Sequence, residues 1–72
     1  MLAKKEALNL LARKIRGSRN EKKITLKKLA CENSISKSSL SAIENERCNP
    51  NFYTLFKIAG GLNCRVKDLL DF

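Results

Sequence analysis

The chain predicts an all-α fold of five helices. Three observations carry that prediction: apolar residues recur at three- and four-residue spacings along the chain, no segment alternates with the period of two expected of a strand, and Thr25, Ser36 and Pro50 punctuate the pattern at short intervals. At 72 residues there is room for one small domain, residues 1–72, with a modest core. No linker, repeat or low-complexity segment divides it.

The first helix is expected over about residues 4–21, because Leu8, Leu11, Ala12 and Ile15 follow the i, i+3, i+4, i+7 pattern of a buried stripe. Lys4, Lys5, Arg13, Lys14 and Arg16 populate its other sides. Thr25 is suited to capping a second helix, with Lys28 at the position where a capping box carries Glu. Leu26, Leu29 and Ala30 give that helix a short apolar face ending near Asn33. After a break of about three residues, Ser36 caps a third helix from 37 to about 45, with Leu40 and Ile43 inward. Asn49-Pro50 is expected to stop it, since a residue before proline is pushed out of the α region. Phe52, Leu55, Ile58, Ala59 and Leu62 then form a fourth stripe, weakened near its end by Gly60-Gly61. Val66, Leu69 and Leu70 suggest a short fifth helix.

The net charge of +8 is uneven: residues 1–24 hold eight Lys and Arg against Glu6 and Glu21. Such a surplus favours a polyanionic partner, nucleic acid first and an anionic membrane surface second. The membrane reading is weak because Leu8, Leu11 and Ile15 are needed for the core. No stretch approaches the roughly 20 apolar residues of a membrane span, and the N-terminus lacks a signal peptide's apolar block. A cytoplasmic protein with no membrane partner is the expectation. Cys31, Cys48 and Cys64 are isolated and histidine is absent, so no metal ligand set, no cofactor and no catalytic nucleophile-base pair is expected. Cys31 and Cys64 read as half-buried small hydrophobes, and Cys48 as a loop residue. This is a binder's sequence rather than an enzyme's.

The segment "SISKSSLSAIEN", residues 34–45, packs five serines into its first eight positions around the helical apolar pair Leu40 and Ile43. Two short helices on either side of a tight turn, at 25–33 and 36–45, have the dimensions of a helix-turn-helix. Over about residues 8–70 the chain resembles the phage repressor and Cro (Xre-type) regulators. "IRGSR" at 15–19 resembles the family's first-helix motif, with Arg19 at its characteristic arginine. "ITLKKLA" at 24–30 is similar to the second helix, and "ISKSSLSAIEN" at 35–45 to the recognition helix, with Glu44 at the family's glutamate. "NPNFYTLFKIAGGLNCRVKDLL" at 49–70 matches the proline-led fourth helix and the apolar tail of the domain. Leu26 stands where the family usually has Gln, and Ser34 and Glu46 stand where it usually has Gly. Both turns are therefore expected to be strained or reshaped.

The resemblance implies a lambda-repressor-like domain acting as a sequence-specific transcriptional regulator, a dimeric repressor or autoregulator on a short palindrome in double-stranded DNA. It implies a structural ion pair between Arg19 and Glu44, with Lys37, Ser38, Ser41 and Ala42 presented to base edges. Thr25 and Lys27 at the start of the second helix, and Asn45, Arg47, Asn49 and Asn51 in the following loop, are the expected phosphate contacts. Tyr53, Phe56, Leu70 and Phe72 exceed what a small core needs, and Leu70 and Phe72 are assigned to a homodimer interface. The rival is a protein-interaction module of the same fold, binding a toxin or another regulator, which Leu26, Ser34 and Glu46 favour.

Overall fold

The computed structural model describes residues 3–71, so Phe72, half of the expected dimer interface, lies outside the described residues. Five helices follow in order: α1 Lys4–Glu21, α2 Leu26–Glu32, α3 Lys37–Glu44, α4 Phe52–Gly61 and α5 Val66–Leu69. The starts of α2, α3 and α4 are set by side-chain caps. The Thr25 hydroxyl accepts from the Lys28 N–H at 3.1 Å, Ser36 from Ser39 at 3.0 Å and the Asn51 carbonyl from Thr54 at 2.8 Å. Each satisfies one of the amides that a helix start leaves without a partner.

The ends follow one rule, which bears out the strain expected at Ser34 and Glu46 and extends it to two further turns. One residue past the C-cap of each of the first four helices, the backbone turns left-handed: Lys23 at φ 57°, Ser34 at 56°, Glu46 at 63° and Asn63 at 56°. The next amide then reaches back into the helix: Ile24 to Arg19, Ile35 to Ala30, Arg47 to Ala42 and Cys64 to Ala59, all at 2.8–3.0 Å. This is the Schellman arrangement, which normally carries glycine. Here no glycine occupies any of the four positions. The return places Ile24, Ile35 and Cys64 against the core, and that burial offsets the backbone strain.

The core gathers Leu11 and Ile15 of α1, Leu29 and Ala30 of α2, Leu40 and Ile43 of α3, Leu55, Ile58 and Ala59 of α4, then Leu62 and Leu69. Four expectations are corrected. Leu8 is only half-buried, at the edge of the α1 stripe. Phe52 is not core but 69% exposed. Cys31 is exposed rather than half-buried. And α3 ends at Glu44 through the Glu46 turn, well before Asn49-Pro50, so the proline precedes α4 without being what stops α3.

Gly61 does more than weaken α4. A Cβ there would lie 2.5 Å from Leu29 Cδ1 and closer still to the Asn33 amide, so its absence lets α4 approach the end of α2. Replacing Gly61 with Ala is expected to destabilise the fold by about 1–3 kcal/mol through overpacking. Replacing Ser34 with Gly removes left-handed strain and is expected to stabilise it by about 1 kcal/mol. Thermal unfolding of both variants checks the two signs together; a stabilised Gly61→Ala protein refutes the close-approach argument.

Candidate nucleic-acid interface

α3 buries Leu40, Ile43 and Glu44. At 100° per residue, the side opposite those three is centred on Ser38 and Ala42, with Ser41 and Ser39 flanking. Lys37, Ser38 and Ser39 are exposed, while Ser41 and Ala42 are half-buried. The outward face of α3 is therefore built of hydroxyls and one methyl, with the exposed, long cationic side chain of Lys37 at its first turn, on the flank between that face and Leu40. Ser39, exposed and flanking this face, was not singled out in the sequence; its spacing of three residues before Ala42 was the available signal. Ser36 spends its hydroxyl on the Ser39 amide and so contributes a cap.

The other expected contacts lie on two neighbouring segments. Thr25 and Lys27 are exposed at the first turn of α2, which packs on α3. The Thr25 oxygen accepts from a backbone amide, which leaves the hydroxyl proton available as a donor. Asn45, Arg47, Asn49 and Asn51 are exposed on the stretch leading from α3 to α4. Two of these amides are already engaged: Asn45 Nδ2 donates to the Ser41 carbonyl at 2.8 Å and lies 3.3 Å from the Ser41 hydroxyl, and Asn51 caps α4. Arg47 and Asn49 have no such engagement among the hydrogen bonds of the described residues. Leu70, 45% exposed, lies instead on α5's side of the molecule beside Lys67, Asp68 and Asp71.

What holds α3 in place is Arg19. Its Nε donates to Glu44 Oε2 at 2.9 Å, its Nη2 to Glu44 Oε1 at 3.0 Å, and its Nη1 to the Ile24 carbonyl at 3.0 Å. Glu44 is 4% exposed and is the buried charged residue of the described chain. A carboxylate taken out of water is tolerable only when paired and fully hydrogen-bonded, and the two-pronged guanidinium supplies that.

Three further ties escaped sequence reasoning. Asn9 Nδ2 donates to Glu46 Oε2 at 2.9 Å, holding the one carboxylate of the α3–α4 loop against α1. Lys57 Nζ donates to the Ser34 carbonyl at 3.0 Å and sits 5.0 Å from the centre of the Tyr53 ring. Lys22 Nζ donates to the Leu62 carbonyl. All three link residues far apart in sequence, which helical periodicity does not register. Burial pushes the Cys64 thiol pKa up, against the opposing pull of the Lys22 charge, so it is a neutral apolar group at physiological pH.

Comparison with known proteins bears on this geometry. A family model described as a helix-turn-helix domain matches residues 12–71. The immunity repressor protein of Bacillus phage phi105 is 35% identical over 60 residues, covering 83% of this chain and 42% of the repressor. The chain thus spans less than half the length of that relative. Among solved structures, the clp gene regulator ClgR from Corynebacterium glutamicum superposes with a TM-score of 0.85 at 28% identity, covering 90% of this chain and 69% of ClgR. An HTH_3 family transcriptional regulator from Vibrio cholerae gives 0.88 at 25% identity, covering 96% of this chain and 39% of that one.

The Arg19–Glu44 contact makes a stability prediction. Glu44→Gln keeps the shape but leaves the guanidinium without its counter-charge, at an expected cost of about 1–3 kcal/mol. A double-mutant cycle with Arg19→Met, read by denaturant unfolding, should return a coupling energy of similar size. Zero coupling would show two independent side chains.

Proposed function

The chain belongs to the helix-turn-helix domain family, and from that membership we propose that it is a sequence-specific DNA-binding transcriptional regulator, a cytoplasmic homodimer acting as a repressor or autoregulator on a short palindrome. The observation that carries this reading is the outward face of α3, stripped to hydroxyls and a methyl on a helix clamped from behind by Arg19. A helix enters the major groove closely only if that side carries little bulk, and serine hydroxyls can donate to or accept from several bases. α3 is rigid because its other side is packed and ion-paired, which is what reading a base edge requires.

In this reading Lys37, at the first turn of α3, reaches a guanine through O6 and N7, while Ser38, Ser41 and Ala42 make close contacts with neighbouring bases. Thr25 and Lys27 meet phosphate at the start of α2, where the helix dipole adds to the attraction. Arg47 and Asn49 meet it from the loop, with Asn45 and Asn51 contributing the donor capacity their internal bonds leave over. Repression follows from occupancy of the site, the operator being closed to other proteins.

Binding-site selection from a random duplex pool tests the reading. The wild-type protein should enrich a two-fold symmetric sequence, with a log–log salt slope of about −4 to −8 for a dimer making several phosphate contacts per subunit. Lys37→Ala should relax preference at one base pair per half-site, a loss of about 1–3 kcal/mol of discrimination, whereas Lys27→Ala should weaken all sequences alike. A flat salt response with no enriched sequence would refute DNA binding; full preference in Lys37→Ala would reduce Lys37 to a phosphate contact.

A further inference from the structure

The proposed interface leaves one prominent surface unused. α4 turns Leu55, Ile58 and Ala59 inward, yet Phe52 is 69% exposed, Tyr53 66% and Phe56 59%. Scattered apolar residues on a surface are ordinary, but three aromatic rings on five consecutive positions of one helix are a patch. Phe52, Phe56 and Gly60 fall on a single ridge at i, i+4 and i+8. Gly60 has open space where a Cβ would stand, unlike Gly61, whose lack of a side chain internal packing explains. Beside Gly60 lies a shallow groove of about 340 Å³ lined by Phe56, Ala59, Gly60, Cys64, Arg65 and Val66. The ridge therefore runs ring, ring, notch.

We infer that this face is covered by a second copy of the chain, with the two α4 helices antiparallel about a two-fold axis at Phe56, so that Phe52 of each copy enters the notch at Gly60 of the other. The pairing follows from position alone: in an antiparallel pair centred on residue 56, residue 52 lies opposite residue 60. A two-fold interface must be self-complementary, and this ridge is: its large end matches its empty end, with equal rings meeting at the axis. A partner of different sequence would need no such symmetry. Arg65 at the rim of the groove is placed to lie over the incoming ring, and Lys57 beside Tyr53 borders the patch with charge.

The available area sets the strength. A fully buried aromatic residue removes roughly 150–250 Å² from water, so the three exposed rings offer about 400 Å² per copy and about 800 Å² in all. Stable interfaces bury roughly 1,200–2,000 Å². In addition, each copy carries a net charge of +8, and the two repel. The dimer is therefore weak in free solution and completed on DNA, where phosphates neutralise the repulsion. Salt should act in opposite directions on the two events, tightening the free dimer while loosening DNA binding. The inference deepens the proposed DNA-binding reading by naming the surface that pairs its half-sites.

Sedimentation equilibrium of the full chain without DNA, from micromolar to about 1 mM and at low and high salt, reads the interface directly. Wild type should show a monomer–dimer equilibrium with a Kd of about 10–500 µM that tightens with salt, an affinity expected of so small an interface. Phe52→Ala and Gly60→Leu should each weaken it at least ten-fold, while Leu70→Ser leaves it unchanged. Gly60→Leu should also keep or raise the thermal midpoint, because its Cβ site is open and leucine is the better helix former, which separates a blocked notch from a lost fold. Phe52→Ala removes a side chain that is mostly in solvent and gives a second, independent reading. A wild-type protein still monomeric at 1 mM overturns the inference. So does undiminished association of either α4 variant, or dissociation by Leu70→Ser alone. None of these outcomes involves DNA, so each leaves the reading of α3 standing, and failure to select a DNA sequence would leave the dimer standing.

Discussion

Arg19 ties three parts of the chain with one guanidinium: α1, on which it sits, the Ile24 carbonyl just after the α1–α2 turn, and Glu44 at the end of α3. A helix of eight residues has little stability of its own, since its nucleation cost is spread over few hydrogen bonds. α3 also spends much of its length on serine, a residue with only moderate helix propensity. Leu40 and Ile43 anchor one side by packing, but packing alone tolerates small rotations. The paired carboxylate does not, because a buried charge that slides out of its two-pronged contact loses what compensates its desolvation. The ion pair thus fixes the rotation of α3 about its own axis, and with it which hydroxyls face outward.

The same economy governs the helix ends. Four successive helices finish on a non-glycine residue in the left-handed region; Lys23, Ser34 and Glu46 are each about 1–2 kcal/mol less comfortable there than glycine would be, while Asn63 tolerates it better. The strain persists because tertiary structure holds each turn at both sides. Ile24 and Ile35 are drawn into or against the core, Glu46 accepts from Asn9, and the Ser34 carbonyl accepts from Lys57. In the turn after α3 the tie has an electrostatic side as well. A carboxylate in the loop expected to meet phosphate would repel it, and Asn9 keeps that carboxylate against α1.

Much of this architecture was legible in the sequence because its signals are local. Thr25, Ser36 and the apolar spacings place α2 and α3 within a residue of their observed bounds, and the pairing of Arg19 with Glu44 was carried by resemblance to a family motif. What stayed hidden depends on contacts between distant segments. Periodicity put Phe52 in the core because it sits on the same side of α4 as Leu55 and Ala59, yet among the described residues nothing covers it, and it is exposed. The stop after α3 was assigned to proline because proline acts through its own ring. The left-handed turn at Glu46 was marked by resemblance, since glycine is usual there; what holds it, the distant Asn9 and the returning Arg47 amide, left no sign in the sequence.

The proposed two-fold regulator needs more than a readable helix; it needs a fixed distance between two of them. That distance is a property of the path from the α4 face to α3. Along this path every joint is held. Gly61 lets α4 press on Leu29 and Asn33 at the end of α2, Lys57 reaches from α4 to the carbonyl of Ser34 in the α2–α3 turn, and Arg19 locks the far end of α3. The α2–α3 break is only a few residues long, and Ile35 within it is buried. In the proposed dimer, a frame this short and tied would not adjust its half-site spacing by bending itself. Any mismatch between its own spacing and a turn of duplex would fall on the DNA, whose resistance to bending and twisting depends on sequence. Central base pairs that the protein never touches would then contribute to selectivity, complementing the few long side chains that α3 offers.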